Sequence, residues 1–134
     1  MSDSITTGRH SAYSLHLHIV FVTKYRRKLL GSVHLARLRE VFSDVLAQFD
    51  ATLAEFNGEA DHCHLLIHTS PNTPGVAKLV NSLKAVSSRR LRHEFNDIAG
   101  AYDKPILWSR SYFAGTCGGA PLSVIRQYIE NQGR

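Results

Sequence analysis

Residues 61–68 read Asp-His-Cys-His-Leu-Leu-Ile-His. Polar and apolar residues alternate here as in a half-buried β-strand, yet most of the polar positions are imidazoles. Successive side chains on a strand point to opposite faces, so His62, His64, Leu66 and His68 share one side, and Cys63, Leu65 and Ile67 the other. The pair His62 and His64 is thereby presented side by side. His68 shares their face but stands about 13 Å from His64 at 3.3 Å per residue, too far to join the same ion.

Working outward, residues 51–57 form a second short strand candidate, joined to residues 59–68 at Asn57-Gly58, a pairing that signals a hairpin turn. Upstream, residues 15–23 alternate and then become continuously apolar and β-branched, the pattern of a strand that turns central. The basic run Lys24-Tyr25-Arg26-Arg27-Lys28 follows it. Leu38, Val41, Phe42, Val45, Leu46 and Phe49 then recur at three- and four-residue intervals, which predicts a helix over 32–49 with Ser32 as N-cap. Downstream, the loop 70–75 ends in a helix start, and Val76, Leu79, Val80, Leu83 and Val86 mark an amphipathic helix to Phe95. Its polar side is basic, with Lys78, Lys84, Arg89, Arg90 and Arg92. Residues 96–105 read as a loop, and Ile106-Leu107-Trp108 with Ser111-Tyr112-Phe113-Ala114 as a broken fourth strand. A glycine hinge over 115–120 leads to a last short helix, 121–132, opened by Pro121. The order β-α-β-β-α-β predicts an α+β, ferredoxin-like fold: a four-stranded antiparallel sheet with an extra C-terminal helix. Its helices should cover one face of the sheet and leave the other for a site, a dimer contact, or both.

With 134 residues the chain has room for one domain, with residues 1–12 expected to be flexible. Sixteen Lys and Arg against eleven Asp and Glu give a net charge of +5, which favours a polyanionic partner such as nucleic acid. No signal-peptide core opens the chain and no apolar run is long enough for a membrane span, so a cytoplasmic protein with no membrane partner is expected. Two cysteines, Cys63 and Cys117, without CxxC spacing, indicate neither a disulfide framework nor a four-cysteine zinc site.

On the final helix Val124, Tyr128 and Gln132 are spaced by four and lie on one face, while Leu122, Ile125 and Ile129 supply the stripe that docks it. A phenol and an amide carbonyl one turn apart form a compact unit, in which the tyrosine can attack while the Gln oxygen binds a hard cation. Two imidazoles and one such oxygen leave open positions on Mg²⁺ or Mn²⁺ for a phosphate.

Taken together, the His62-Cys63-His64 strand and the late Tyr128-x-x-x-Gln132 helix resemble the single-tyrosine HUH transposases of small bacterial insertion sequences. The stretches 21–28 (Phe-Val-Thr-Lys-Tyr-Arg-Arg-Lys), 83–92 (Leu-Lys-Ala-Val-Ser-Ser-Arg-Arg-Leu-Arg) and 108–116 (Trp-Ser-Arg-Ser-Tyr-Phe-Ala-Gly-Thr) add to the likeness, which spans residues 13–132. The resemblance implies a metal-dependent transposase in which Tyr128 attacks single-stranded DNA, leaving a 5′-phosphotyrosine and a free 3′-hydroxyl. It further implies Mg²⁺ or Mn²⁺ held by His62, His64 and Gln132, and a homodimer whose tyrosine helix can act in trans. The implied partner is single-stranded DNA with hairpin ends, with Lys24, Arg26, Arg27, Lys28, Lys84, Arg89, Arg90 and Arg92 as candidate DNA contacts.

Several neighbours compete for these roles. Tyr13, Tyr25, Tyr102 and Tyr112 are other phenols; Tyr112 beside Phe113 reads as packing, and Tyr25 amid cations could stack on a base. His16 and His18 read as a solvated or hydrogen-bonded strand face, Cys63 as inert packing, and Glu59 or Asp61 as sheet-edge acids or as groups that orient the histidines. A zinc hydrolase using His62, Cys63 and His64 conflicts with strand geometry, since adjacent residues cannot all turn to one ion. An HUH nuclease that initiates replication or processes repeats would use the same residues. A non-catalytic, ferredoxin-like single-strand binding module would use only the basic ones.

Overall fold

The computed structural model describes residues 15–118. The expected helix 121–132, with Tyr128 and Gln132, lies outside the described residues, as do residues 1–12, Tyr13 and the end of the glycine stretch. Four strands, β1 (His16–Thr23), β2 (Thr52–Glu59), β3 (His62–His68) and β4 (Trp108–Gly118), form one antiparallel sheet in the order β2-β3-β1-β4. Helix α1 (Ser32–Gln48) joins β1 to β2, and α2 (Val76–Glu94) with the short α3 (Asn96–Ala99) joins β3 to β4. This is the ferredoxin-like arrangement that the element order predicts.

The odd-numbered residues of β1 and β3 build the core. Leu17, Ile19, Phe21, Cys63, Leu65 and Ile67 are buried against Leu38, Phe42 and Leu46 of α1 and Leu79, Leu83 and Leu91 of α2. Both helices cross this one face because their apolar stripes have nowhere else to be buried. The even-numbered residues, among them His16, His18, His62, His64 and His68, line the opposite face. Among the described residues no helix is long and apolar enough to cross a membrane.

Four local expectations are corrected. Asn57-Gly58 is not the hairpin turn: Gly58 pairs with Cys63 inside the ladder, and the chain reverses at Ala60-Asp61. Glycine gives clearance there, since a Cβ would press on Leu35 Cδ2 of α1, which would have to move, and stand 3.3 Å from Cys63 Cβ. The true turn is fixed by the chain leaving β1, because Leu29 and Leu30 N–H both donate to Ala60 O and Thr23 N–H donates to Asp61 O, each at 2.9 Å. Next, Ser32 is the first residue of α1 rather than its cap; Gly31 is the N-cap, and the His34 ring bends back so that its Nδ1 accepts the Gly31 N–H at 2.9 Å.

The third correction concerns the expected hinge. β4 is continuous to Gly118, so Gly115, Thr116, Cys117 and Gly118 belong to a strand paired with β1, with Gly115 opposite His18 and Gly118 opposite His16. Pairing with a central strand outweighs the local preference of glycine for irregular backbone. At Gly115 the missing side chain leaves room for the Phe113 ring, whose Cζ would stand 3.2 Å from a Cβ. Residues 96–105, expected as a loop, also contain the one-turn helix α3, whose Ile98 is buried in the core.

Candidate active site

His62 and His64 occupy the β2-facing half of the sheet face away from α1 and α2, opposite Glu59 and Asn57 of β2 and opposite Val22 and Val20 of β1. Their ring centroids are 5.1 Å apart and the rings are nearly perpendicular, at 84°. Each imidazole has its Nδ1 engaged. Nδ1 of His62 lies 2.8 Å from Asp61 Oδ1, and the other oxygen of that carboxylate meets Arg26 Nε at 3.4 Å. His64 Nδ1 lies 3.0 Å from Nε2 of His18, a fully buried neighbour on β1 whose ring stacks on it at 5.3 Å and 16°.

These contacts select tautomers. An ionised Asp61 accepts the Nδ1–H of His62, which places the His62 lone pair on Nε2. If His64 likewise donates from Nδ1 to His18, its lone pair too is on Nε2. That atom is buried and has no hydrogen-bond partner among the described residues. An orphaned, buried imidazole nitrogen next to a second imidazole oriented by a carboxylate is the donor set that a divalent ion takes, and oriented Nδ1–H groups are the usual support of such ligands. The protonation states agree. Burial, then the neighbouring His18 and His62, push His64 down to about 4, so it is neutral and able to ligate at pH 7. The hydrogen bond from His62, with Arg26 nearby, holds Asp61 below the usual carboxylate range.

Two imidazoles do not complete a site. Among the described residues no three His, Cys, Asp or Glu side chains converge to hold a metal ion. The expected third ligand, Gln132, and the expected nucleophile, Tyr128, lie outside the described residues. His68 is indeed elsewhere, its ring 4.9 Å from that of His16 near the other end of the two strands. Cys63 points into the core, fully buried, and burial raises its thiol pKa, which makes it packing rather than a ligand.

The described tyrosines make no ring contact with either histidine of the pair. Tyr112 pairs with Phe21 and so turns to the helix side, where Lys84 Nζ lies 5.9 Å from its ring. Tyr102 donates its hydroxyl to Lys24 O, and burial raises its pKa. Tyr25 projects from the loop after β1 and is 74% exposed.

The basic residues fall into different settings. Arg26 is drawn to Asp61, and Lys84 Nζ donates to Ser109 O at 2.7 Å and Arg110 O at 3.3 Å, which braces the start of β4. Arg27 packs its guanidinium 4.9 Å from the Tyr102 ring and donates to Ala101 O. Lys28, Arg89 and Arg90 are exposed, and Arg92 Nε donates to Ser88 Oγ at 3.1 Å. The residue that sequence reasoning underrated is His18. Its signal is parity: His18 belongs to the same alternation as His62 and His64, one strand away.

Comparison with known proteins places this geometry in context. The family model "Transposase IS200 like" matches residues 11–132. The ISDra2 transposase TnpA of Deinococcus radiodurans is 28% identical over 125 residues, covering 93% of this chain and 89% of that protein. The transposase for insertion sequence element IS200 of Salmonella typhimurium is 28% identical over 123 residues, covering 92% and 80%. Among solved structures, a Deinococcus radiodurans transposase crystal structure superposes with a TM-score of 0.74 at 28% identity over 98% of each chain. A REP-associated tyrosine transposase bound to a REP hairpin has a TM-score of 0.62 at 12% identity, covering 97% of this chain and 69% of the other, a likeness of fold.

Proposed function

Because the chain belongs to the IS200-like transposase family, we propose that it mobilises an insertion sequence by cutting and rejoining single-stranded DNA, with Tyr128 as nucleophile. The carrying observation is the His62–His64 pair, each ring held at Nδ1, with the buried Nε2 of His64 left for a ligand.

In this reading the Tyr128 phenolic oxygen attacks a backbone phosphorus, and the bond from phosphorus to the 3′ oxygen breaks. The 5′-phosphate stays on the tyrosine, while the departing 3′ oxygen takes up a proton as the phenol gives one up. One phosphate ester replaces another of similar energy, so a different 3′-hydroxyl can reverse the step without ATP. A free tyrosine has a pKa of about 10 and is a weak nucleophile at neutral pH, so the site must work mainly by stabilising charge on the phosphate. Mg²⁺ or Mn²⁺ bound by His62, His64 and Gln132 would supply that Lewis-acid polarisation. Asp61 and His18 orient the two imidazoles, and the His62 hydrogen bond, with Arg26 beside it, keeps Asp61 ionised.

The partner in this reading is single-stranded DNA with hairpin ends, in the cytoplasm. A homodimer in which the tyrosine helix serves its own or the partner site completes it. The test is a denaturing gel of protein incubated with labelled single-stranded and duplex oligonucleotides carrying hairpin ends, with Mg²⁺ or EDTA. A Mg²⁺-dependent adduct with single strands alone, lost in Tyr128→Phe, is expected. Binding without any adduct would make the chain a single-strand binding module instead.

A further inference from the structure

Tyr25 and Arg26 are consecutive non-glycine residues with left-handed backbone, φ 60° and 53°. Such a conformation is strained in L-residues and persists only where its surroundings enforce it. Here they do: Thr23 Oγ1 donates to Arg27 O at 2.6 Å, Lys24 N–H donates to Leu107 O at 2.9 Å, and the Tyr102 hydroxyl donates to Lys24 O. The product of this enforced turn is a tyrosine ring that is 74% exposed, with Lys24 Nζ 5.3 Å from its centroid and the Tyr102 ring 6.3 Å away.

The ring borders a cavity of about 370 Å³ between the loop after β1 and the segment from α3 to β4. Lys24, Arg27, Lys104 and Arg110 line it, against a single acid, Asp103, and its aromatic walls are Tyr25, Tyr102 and Trp108. Trp108 is fixed from behind, its Nε1–H donating to Ser87 Oγ at 2.9 Å. A second cavity, of about 390 Å³, shares Tyr102, Asp103 and Lys104 with the first and runs on to Arg89 and Arg92 of α2. Residues of the basic runs after β1 and along α2, distant in sequence, therefore line two adjoining cavities, whose shared wall marks a path from one to the other.

We propose that this path is a binding groove for single-stranded DNA in which the base of one unpaired nucleotide stacks on Tyr25 and the backbone phosphates follow Arg110 and Lys104 towards Arg89 and Arg92. The inference rests on the single-strand reading above and assigns that reading a surface whose lining residues do not include the histidine pair. An exposed aromatic face beside a row of cations suits a strand whose bases are free to unstack, whereas a duplex offers only base edges. Arg27, spent on the Tyr102 ring and on Ala101 O, stiffens the wall rather than gripping phosphate.

The test uses the whole chain in EDTA, with a fluorescent thymine-rich single strand carrying 5-iododeoxyuridine, and the matching duplex as competitor. Tyr25→Ala should raise Kd about 5- to 100-fold, the loss of one base–aromatic stack, while Tyr25→Phe stays within about twofold. Photocrosslinking should place the iodinated base on the peptide containing Tyr25, and the duplex should compete poorly. Lys104→Ala with Arg110→Ala should lower the slope of log Kd against log salt by about 1.4, two phosphates' worth. Unchanged binding in Tyr25→Ala, an equal loss in Tyr25→Phe, or equal competition by duplex would each overturn the groove. If wild type also forms the Tyr128 adduct, the groove fails alone; if wild type binds no single strand at all, the proposed function fails with it.

Discussion

His18 is the side chain whose removal most directly examines the histidine site without touching either expected ligand from it. Its Nε2 stands 3.0 Å from His64 Nδ1 and its ring is stacked on the same imidazole. In His18→Leu the His64 Nδ1 would be left buried and unpaired, costing about 1–3 kcal/mol of folding stability. The imidazole would also be free to turn or change tautomer, and loss of such an orienting partner lowers metal affinity about 10- to 100-fold, or about 1.4–2.7 kcal/mol. Gln can place its amide near the former Nε2, so His18→Gln should bind Mn²⁺ within about threefold of wild type. Titration calorimetry with Mn²⁺ gives the affinities, and urea unfolding of the same samples separates a folded protein with a weakened site from an unfolded one. A folded His18→Leu protein that binds Mn²⁺ as tightly as wild type would refute the orienting role and, with it, the tautomer assignment of His64.

Gly58→Ala should cost about 1–3 kcal/mol by overpacking Leu35, and Leu35→Ala in the same chain should remove most of that penalty; a cost untouched by Leu35→Ala would mean that glycine serves backbone conformation there instead. Acid should weaken the metal-free protein: the folded pKa of His64 is about 4, below its unfolded value, so stability is full above pH 6.5 and declines as pH falls towards 4 while the unfolded state takes up the proton. His18 shifts in the same direction through burial. Between pH 7 and pH 5 a loss of about 1–2 kcal/mol in urea unfolding is expected, smaller in His64→Gln, and equal midpoints at both pH values would contradict it. Asp61→Asn should lower Mn²⁺ affinity about tenfold with little change in stability, since the Arg26 contact it also breaks is exposed; unchanged affinity would remove Asp61 from the site.

What could be read in the sequence was whatever the chain encodes within one element. The strand period placed His62 and His64 together on one face and Cys63 in the core, and the helical period placed both helices. The errors share a cause: a residue chosen by its local preference was claimed by a distant neighbour. Gly58 looks like half of a turn and is in fact the clearance for Leu35 from α1; Gly115 and Gly118 look like a hinge and are drawn into β4 by β1. The contact between His18 and His64 depends on the diagonal across the β1–β3 ladder, a register that no local pattern states.

The same reasoning bears on the basic surface. Net positive charge favours a polyanion, but runs of cations carry no shape, and the structure divides them: Arg26 and Lys84 serve Asp61 and the β4 backbone, while Arg89 and Arg92 line a cavity adjoining the one that Lys24 and Arg27 line. The pairing of Thr23 with Trp108 brings the close of β1 against the start of β4. Lys104, isolated in sequence, lines both cavities, and Arg110 lines the first beside Lys24 and Arg27. The proposed nucleic-acid surface depends on strand pairing, so variants chosen from the sequence runs alone would mix bracing residues with those proposed to bind.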